Sequence, residues 1–297
     1  MTLKIGMIGL DTSHVEIFTS LLHNQSNQYK QAKVVLGCPS PSKQVALSRE
    51  RVDQYTTSAK DTYHVKITES ITELAEHTDA IMITAVDGQK HLELFKQVAA
   101  YQKPVFIDKP FATTLQEAYE IFAISEHYNT PIMSSSSLRY AESLQNELTR
   151  IEKSEQKPTG IYVNGPLPFI KEMPYYFWYG IHMIEMLVTV LGPHYQNVHV
   201  HGNDQNDVIT TEWEDGRFGI IRGDRKWHGK FEAVLHYEEN SIHLPIYKDK
   251  TPYYACLLKE IISFFITGKN PIPKEETLGI IKIIEDANQK RKIIELT

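Results

Sequence analysis

Short apolar runs alternate with amphipathic segments through the first half of the chain. The runs predict strands and the segments between them predict helices. The predicted strands are Leu3–Gly9, Ala32–Gly37, Ala80–Ala85, Pro104–Ile107 and Pro131–Ser134, and the predicted helices are His14–His23, Ser42–Glu50, Ser70–His77, His91–Tyr101 and Leu115–Tyr128. Several runs are apolar without alternation, which is typical of strands covered on both faces. This half therefore predicts a parallel, doubly wound α/β sheet.

The second half does not alternate strands with helices. The segment Phe177–Gly192 predicts one amphipathic helix, which Gly192-Pro193 ends. Five strand patterns follow, at Val198–His201, Val208–Trp213, Arg217–Arg222, Phe231–Tyr237 and Ser241–Pro245. Two helices close the chain, Tyr253–Thr267 and Lys274–Lys290. Turn residues at 214–216 and 238–240 have the spacing of hairpin loops. We therefore expect a domain boundary after residue 135, with residues 136–297 forming an α+β domain on an open, mostly antiparallel sheet.

Composition limits the classes of partner. The chain has 297 residues, a formal net charge of -6 and two cysteines, so it offers no basic field for nucleic acid and no disulfide framework. No apolar run approaches the roughly 20 residues that span a bilayer. The first strand begins at residue 3, which leaves no room for a signal peptide. We expect a cytoplasmic protein that binds neither nucleic acid nor membrane.

The stretch KIGMIGLDTSHVEIF looks like a dinucleotide-binding loop whose glycines have changed. In the pattern G-x-G-x-x-G, Gly9 keeps the first glycine, whereas Asp11 and His14 stand at the second and third. Ser13 and Glu16 match a capping box, with Asp11 or Thr12 closing the turn, which is a purely local interpretation. The strand, turn and helix also fit the floor of a nucleotide site from Gly9 to Ser13. In that case the Asp11 carboxylate should turn aside from the phosphates, because like charges repel.

The end of the second strand leaves the choice between NAD and NADP open. An NAD-specific fold usually carries an acid there to bind the ribose hydroxyls. No acid occurs between Val34 and Lys43. Ser40, Ser42 and Lys43 fit either a 2′-phosphate site or solvated turn residues.

Two later motifs identify a family. KPVFIDKPFATT contains Asp108-Lys109-Pro110, and YGIHMIEMLVTVLG contains Gly180, His182 and Glu185. They resemble the E-K-P turn and the G-x-H-x-x-D helix of the glucose-fructose oxidoreductase / inositol dehydrogenase (Gfo/Idh/MocA) family, and the resemblance covers essentially the whole chain. It implies a Rossmann-like NAD(P)-binding domain over residues 1–135 and a substrate and oligomerisation domain over residues 136–297. It also implies a homo-oligomer, formed through the C-terminal sheet, that transfers a hydride between NAD or NADP and a hydroxyl carbon of a sugar, polyol or related small molecule.

The same resemblance implies roles for individual residues. Lys109 would contact the reacting oxygen and His182 would exchange its proton, with both facing one cleft. The roles suit the chemistry, because an alcohol loses hydride only as its proton leaves, and a nearby ammonium stabilises the oxygen. The expected cofactor contacts are Gly9, Asp11, Thr12, Ser13, Ala85, Val86, His91, Asp108, Lys109 and Arg139, the expected substrate contacts are Lys109, Tyr176, Trp178 and His182, and the expected catalytic residues are Lys109, His182 and Glu185.

The chain departs from the family at the histidine helix. Many members carry an Asp four residues before the histidine to orient its ring, and this chain has Trp178 there. Glu185, or otherwise Tyr176, is expected to take that role. Two alternatives stay open, a catalytically silent small-molecule-binding scaffold and non-redox chemistry on the same fold. No metal site is expected, since His199 and His201 lack a third ligand at a recognisable spacing.

Overall fold

The chain divides into two compact units. A computed structural model describes residues 2–24, 31–154 and 156–296. The first unit comprises Met1–Ser135 and Leu258–Ile272, and the second comprises Ser136–Leu257 and Pro273–Thr297. Within the described ranges, none of the helices combines the length and apolarity that crossing a bilayer requires.

The first unit is built on a six-stranded parallel sheet of order β3-β2-β1-β4-β5-β6. The strands are β1 (Leu3–Ile8), β2 (Ala32–Cys38), β3 (Lys66–Ile67), β4 (Ala80–Ile83), β5 (Val105–Ile107) and β6 (Ile132–Met133). The order reverses between β1 and β4, the switch point at which the carboxyl ends of parallel strands open toward ligands in doubly wound folds. The loops after β1, β2, β4 and β5 therefore hold the candidate residues of this unit.

The helices of the first unit alternate with its strands. They are α1 (Ser13–His23), α2 (Ala46–Thr57), α3 (Ile71–His77), α4 (His91–Val98) and α5 (Leu115–Tyr128). Much later in the chain, α8 (Tyr253–Thr267) begins in the second unit and ends in the first. α5 ends at Asn129, whose left-handed backbone (φ 54°) closes the helix.

The second unit is built on a six-stranded sheet of order β12-β11-β7-β10-β9-β8. The strands are β7 (Gly160–Pro166), β8 (Tyr195–Gly202), β9 (Asn206–Trp213), β10 (Phe218–Asp224), β11 (Glu232–His236) and β12 (Ser241–Leu244), and the helices are α6 (Glu142–Lys153), α7 (Gly180–Leu191) and α9 (Lys274–Leu296). β7 and β10 pair in parallel and the other neighbours are antiparallel. The predicted fold class, a parallel sheet followed by a mostly antiparallel one, is confirmed.

Several predicted boundaries were wrong for local reasons. The capping box at Ser13 and Glu16 does not form, because Thr12 is the last extended residue (φ -133°, ψ 156°) and Ser13 already lies inside α1. α7 begins at Gly180, after a short 3-10 turn over Tyr175–Phe177. α2 begins at Ala46, because Val45 before it has an extended backbone (φ -91°, ψ 113°). The sequence pattern missed β3, α6 and β7, whereas both predicted hairpins are present.

Candidate functional site

The turn after β1 is fixed by its neighbours on both sides. Gly9 donates its N–H to the carbonyl of Cys38 at 2.9 Å, and its own carbonyl accepts from the Thr84 hydroxyl at 2.8 Å. Its backbone is left-handed (φ 90°), and a Cβ would lie 2.3 Å from the amide nitrogen of Ala85. Glycine is therefore required here by the close approach of the loop after β4.

Asp11 holds that loop with its side chain. The carboxylate is wholly buried and accepts from the Val86 N–H at 2.9 Å and from the Ser48 hydroxyl at 2.5 Å. Burial raises the pKa of Asp11, although the bonds from Ser48 and Val86 oppose that shift. The N-cap residue of α1, Thr12, makes no side-chain capping bond. The carboxylate therefore turns toward the loops after β2 and β4 and leaves the start of α1 uncapped.

The segment between β2 and α2 is tied to the loop after β4. The Ser42 hydroxyl donates to Asp87 at 2.6 Å, and both side chains are buried. The Lys90 ammonium donates to the carbonyls of Ser40 and Pro41 at 3.0 and 3.1 Å, and to the Ser40 hydroxyl at 3.3 Å. Burial lowers the pKa of Lys90, although Asp11 and Asp87 oppose that shift. The hydroxyl of Ser42 and the three protons of Lys90 are thus committed inside the protein.

His91 also joins two loops. Its Nδ1 lies 2.7 Å from the carbonyl oxygen of Pro110 and its Nε2 lies 2.8 Å from that of Ala85. The residue is completely buried. His91 was predicted to contact a cofactor, and in the structure its ring fixes the loop after β4 against the turn after β5.

That turn carries the Asp108-Lys109-Pro110 motif. The Lys109-Pro110 peptide is cis. One carboxylate oxygen of Asp108 contacts Nδ1 of His14, and the other accepts from the Lys109 N–H at 2.8 Å. Burial would raise the pKa of Asp108, but the charge and hydrogen bond of His14, with smaller contributions from Lys109, bring the net pKa below its ordinary value. Burial lowers the pKa of Lys109, and the charge of Asp108 opposes this.

In the second unit, His182 is held by a serine. Its Nδ1 lies 2.7 Å from the Ser136 hydroxyl, and the rings of Tyr179 and Phe231 pack at 5.6 and 5.9 Å between centroids. Glu185 lies one turn further along α7 and accepts from the Ser136 backbone N–H at 2.7 Å. Glu185 thus holds the backbone of Ser136, whose hydroxyl contacts the ring.

Arg139 anchors Glu185. Its Nε donates to Glu185 at 2.7 Å, and its Nη1 pairs with Glu276 of α9 at 2.8 Å. Burial would lower the pKa of Arg139, but the two carboxylates raise the net pKa above its ordinary value. The guanidinium predicted to contact a cofactor or substrate therefore makes its described ion pairs within its own unit.

The two aromatic candidates differ in exposure. Tyr176 is completely buried and donates its hydroxyl to Asp207 at 2.6 Å, while Arg225 and Arg291 pair with the same carboxylate. Burial, followed by the charge of Asp207, raises the pKa of the Tyr176 hydroxyl. Trp178 is partly exposed and meets the Tyr179 ring edge-on. Tyr176 therefore supports the fold, and Trp178 is the better candidate for contact with a ligand.

Sequence reasoning missed Ser136 and the partner of His14. Ser136 lies in a run of four serines, so nothing in the local pattern distinguishes it from its neighbours. His14 carried a signal, since it replaces a fingerprint glycine, but its partner is 94 residues away in the chain.

Among the described residues, no three His, Cys, Asp or Glu side chains group as metal ligands. Burial raises the pKa of Cys38 to about 11, so its thiol is protonated near neutral pH.

The first unit of the chain matches a known protein family. The model of an oxidoreductase family with an NAD-binding Rossmann fold, Gfo/Idh/MocA, matches residues 3–135. The matched residues, fewer than half of the chain, are similar to the NAD-binding domain of that family. No curated protein matches the chain in sequence. The match confirms the resemblance over residues 3–135, which include the Asp108-Lys109-Pro110 motif.

Solved structures of similar fold cover almost the whole chain. A probable dehydrogenase from Thermotoga maritima is 17% identical, with a TM-score of 0.78 over 98% of this chain and 97% of that one. Myo-inositol dehydrogenase from Lactobacillus casei, in complex with NAD(H) and myo-inositol, is 16% identical, with a TM-score of 0.78 over 98% and 95%. UDP-N-acetylglucosamine 3-dehydrogenase GnnA from Acidithiobacillus ferrooxidans is 9% identical, with a TM-score of 0.79 over 98% of each chain. At these identities the likeness establishes the two-unit fold.

Replacing Ser136 tests how the ring of His182 is held. We expect Ser136→Ala to shift the ¹⁵N resonances of the His182 ring, because Nδ1 loses its hydroxyl partner, and to cost about 1 kcal/mol of unfolding free energy. Ser137→Ala is the matched control, since the Ser137 hydroxyl is buried without a hydrogen-bond partner among the described residues. Unchanged ring resonances in Ser136→Ala would contradict the assignment.

Proposed function

We propose that the protein is an NAD-dependent oxidoreductase that moves a hydride between nicotinamide and a hydroxyl carbon of a sugar, polyol or related small molecule. The observation that carries the proposal is the family match over residues 3–135, which includes the Asp108-Lys109-Pro110 turn. The related fold of a myo-inositol dehydrogenase in complex with NAD(H) supports the substrate class. The proposal gives cofactor binding to residues 1–135 and substrate binding to residues 136–297.

The residues around α1 fit a dinucleotide. The N-terminus of α1 has no side-chain cap, and the Asp11 carboxylate is engaged by Val86 and Ser48 instead. Backbone N–H groups at Thr12 and Ser13 can then hold a pyrophosphate at the positive end of the helix. Gly9, Ala85 and Val86 would form the floor of this site. When bound, the nicotinamide ring supplies the hydride acceptor.

Lys109 and His182 divide the chemistry at the substrate oxygen. The Lys109 ammonium stabilises negative charge on the oxygen as its proton leaves. His182 takes that proton. As a base its neutral ring donates from Nδ1 to the Ser136 hydroxyl, which makes Nε2 the basic nitrogen. Glu185 contributes by holding the Ser136 backbone, and Trp178 offers an aromatic face to a sugar ring.

The contacts of Ser42 and Lys90 favour NAD over NADP, and they leave the exposed Lys43 as the cation of the segment after β2. A 2′-phosphate needs hydroxyl or cationic donors on this segment. The Ser42 hydroxyl is bonded to Asp87, and the Lys90 protons are bonded to the oxygens of Ser40 and Pro41. The Asp87 carboxylate, which accepts from the Ser42 hydroxyl, repels a phosphate on this segment. A like charge a few ångströms away costs a phosphate about 1–4 kcal/mol at intermediate dielectric.

Titration of the purified protein tests the cofactor. We expect NADH to quench tryptophan fluorescence with a Kd at least about tenfold below that of NADPH, since tenfold corresponds to about 1.4 kcal/mol. Asp87→Asn should bring the Kd values for NADPH and NADH closer together, because it removes a negative charge from the segment after β2. Asp79→Asn, at the opposite end of β4, should leave the ratio of the two Kd values unchanged. If neither dinucleotide binds at millimolar concentration, the cofactor proposal fails. A silent binding scaffold, which Trp178 in place of the orienting Asp favours, would then be the better function.

Replacing Lys109 tests the chemistry. We expect Lys109→Ala to lower kcat for oxidation of a polyol such as myo-inositol, or of the best sugar in a panel, by about tenfold to ten-thousandfold, because a charged group at the reacting oxygen is lost. Lys96→Ala is the control, since its ammonium pairs with Glu93 and Glu120 at the surface. A kcat for Lys109→Ala within twofold of the wild type would remove Lys109 from the reaction.

We also propose that the protein forms a homo-oligomer through its second sheet. Tyr162, Ile220 and Val234 form a row of adjacent, partly exposed side chains across three strands. Exposed apolar rows on a sheet face commonly mark contacts between proteins. The other face of the sheet packs against α7, where a Cβ on Gly219 would lie 3.0 Å from Leu187.

Sedimentation velocity tests the assembly. We expect a mass that is a multiple of the 34.1 kDa chain, and Ile220→Asp should dissociate the assembly because it buries a charge in the interface. Ile266→Asp replaces a more exposed apolar residue of α8 and should leave the mass unchanged. A monomer at micromolar concentration would contradict the proposal.

A further inference from the structure

His14 occupies the third glycine position of the dinucleotide fingerprint and uses it differently. In the standard fold this glycine lets helix and strand pack closely. Here the His14 side chain is the second residue of α1 and is only 7% exposed. Its ring packs edge-on against Phe18 at 5.8 Å, and Phe18 packs edge-on against Phe106 of β5 at 6.4 Å. The ring therefore lies over β5, at the end from which the Asp108 turn continues.

A continuous set of contacts leads from His14 to Lys109. Nδ1 of His14 contacts one oxygen of Asp108, which is only 4% exposed. The other oxygen of Asp108 accepts from the Lys109 N–H at 2.8 Å. The backbone of Lys109 is thus attached, through one buried carboxylate, to the first turn of α1.

The carboxylate needs this partner to stay where it is. A buried carboxylate without a cation or donor is costly, and it relieves that cost by taking up a proton or by rotating toward water. Each of these changes removes or weakens the acceptor of the Lys109 N–H. The contact with His14 supplies a donor, and it keeps the pKa of Asp108 below its ordinary value.

We propose that His14 is a positioning residue that fixes Lys109 through Asp108. The exchange of glycine for histidine at this position thereby connects the helix of the dinucleotide loop to the turn that carries the reacting lysine. The inference rests on the proposed function for its effect on catalysis. Its structural part, the fixing of the Lys109 backbone, is independent of that function.

Three variants of the full-length protein separate positioning from packing. His14→Leu keeps an apolar side chain but removes the donor. His14→Asn places its amide nitrogen where Nδ1 stands and so keeps the donor to Asp108. His23→Leu makes the same exchange at the other end of α1, where the ring packs edge-on against Tyr63. The measurements are amide hydrogen exchange at Lys109 by NMR, and the kinetics of the proposed reaction with NAD.

We expect exchange of the Lys109 amide to accelerate at least tenfold in His14→Leu and less than threefold in His14→Asn and His23→Leu. Turnover should follow the same order, with kcat in His14→Leu at least tenfold lower and KM for NAD changed less than threefold. If His14→Leu leaves the Lys109 amide protected, or if His14→Asn does not restore protection, His14 only fills space and the proposal is overturned. If the wild type oxidises no substrate, the proposed function fails and hydrogen exchange alone decides the role of His14.

Discussion

The first unit depends on the close approach of the turn at Gly9 to the start of the loop after β4. Since no side chain fits between Gly9 and Ala85, the ends of β1 and β4 are locked together at the switch point of the sheet. The side chains of two neighbouring residues add further contacts. Asp11 binds Ser48 and Val86, and His14 binds Asp108 in the turn after β5. Positions that usually serve the ligand by being small here serve the protein by carrying side chains. Under the proposed function, this loop would hold the dinucleotide through backbone groups, in a frame fixed by its own side chains.

The second unit uses buried charge in a similar way. Glu185 and Asp207 are almost completely buried, and each carboxylate is matched by at least one arginine. A buried carboxylate is expensive unless it is paired, so removing either arginine would leave an uncompensated charge. Glu276 and Arg291, both on α9, join these two clusters. α9 is thus tied through Arg139 to the helix that carries His182, and directly to the start of β9.

The sequence allowed the fold to be predicted because that prediction needs only local signals. Apolar runs and turn residues locate most of the strands, and the Asp108 and His182 motifs stand in order along the chain. β7 escaped notice because Gly160, Asn164, Gly165 and Pro166 give it no strand pattern, although it lies in the middle of its sheet. The roles of side chains needed distances. Nothing near Ser136 indicates that it contacts His182, and the partner of Arg139 is 46 residues away. The reacting roles of Lys109 and His182 stay predictions.

The return of the chain to the first unit has a consequence for synthesis. Residues Leu258–Ile272 belong to the unit that otherwise ends at Ser135. During synthesis the first unit therefore cannot complete its fold until more than a hundred residues after Ser135 have been translated, because its last helical segment begins at Leu258. Most of the second unit, Ser136–Leu257, is translated inside this interval, and its last segment begins only at Pro273. Neither unit is therefore a segment that one cut in the gene could release intact. A fragment ending at Ser135 would contain the family's nucleotide motif but lack part of the unit that holds it.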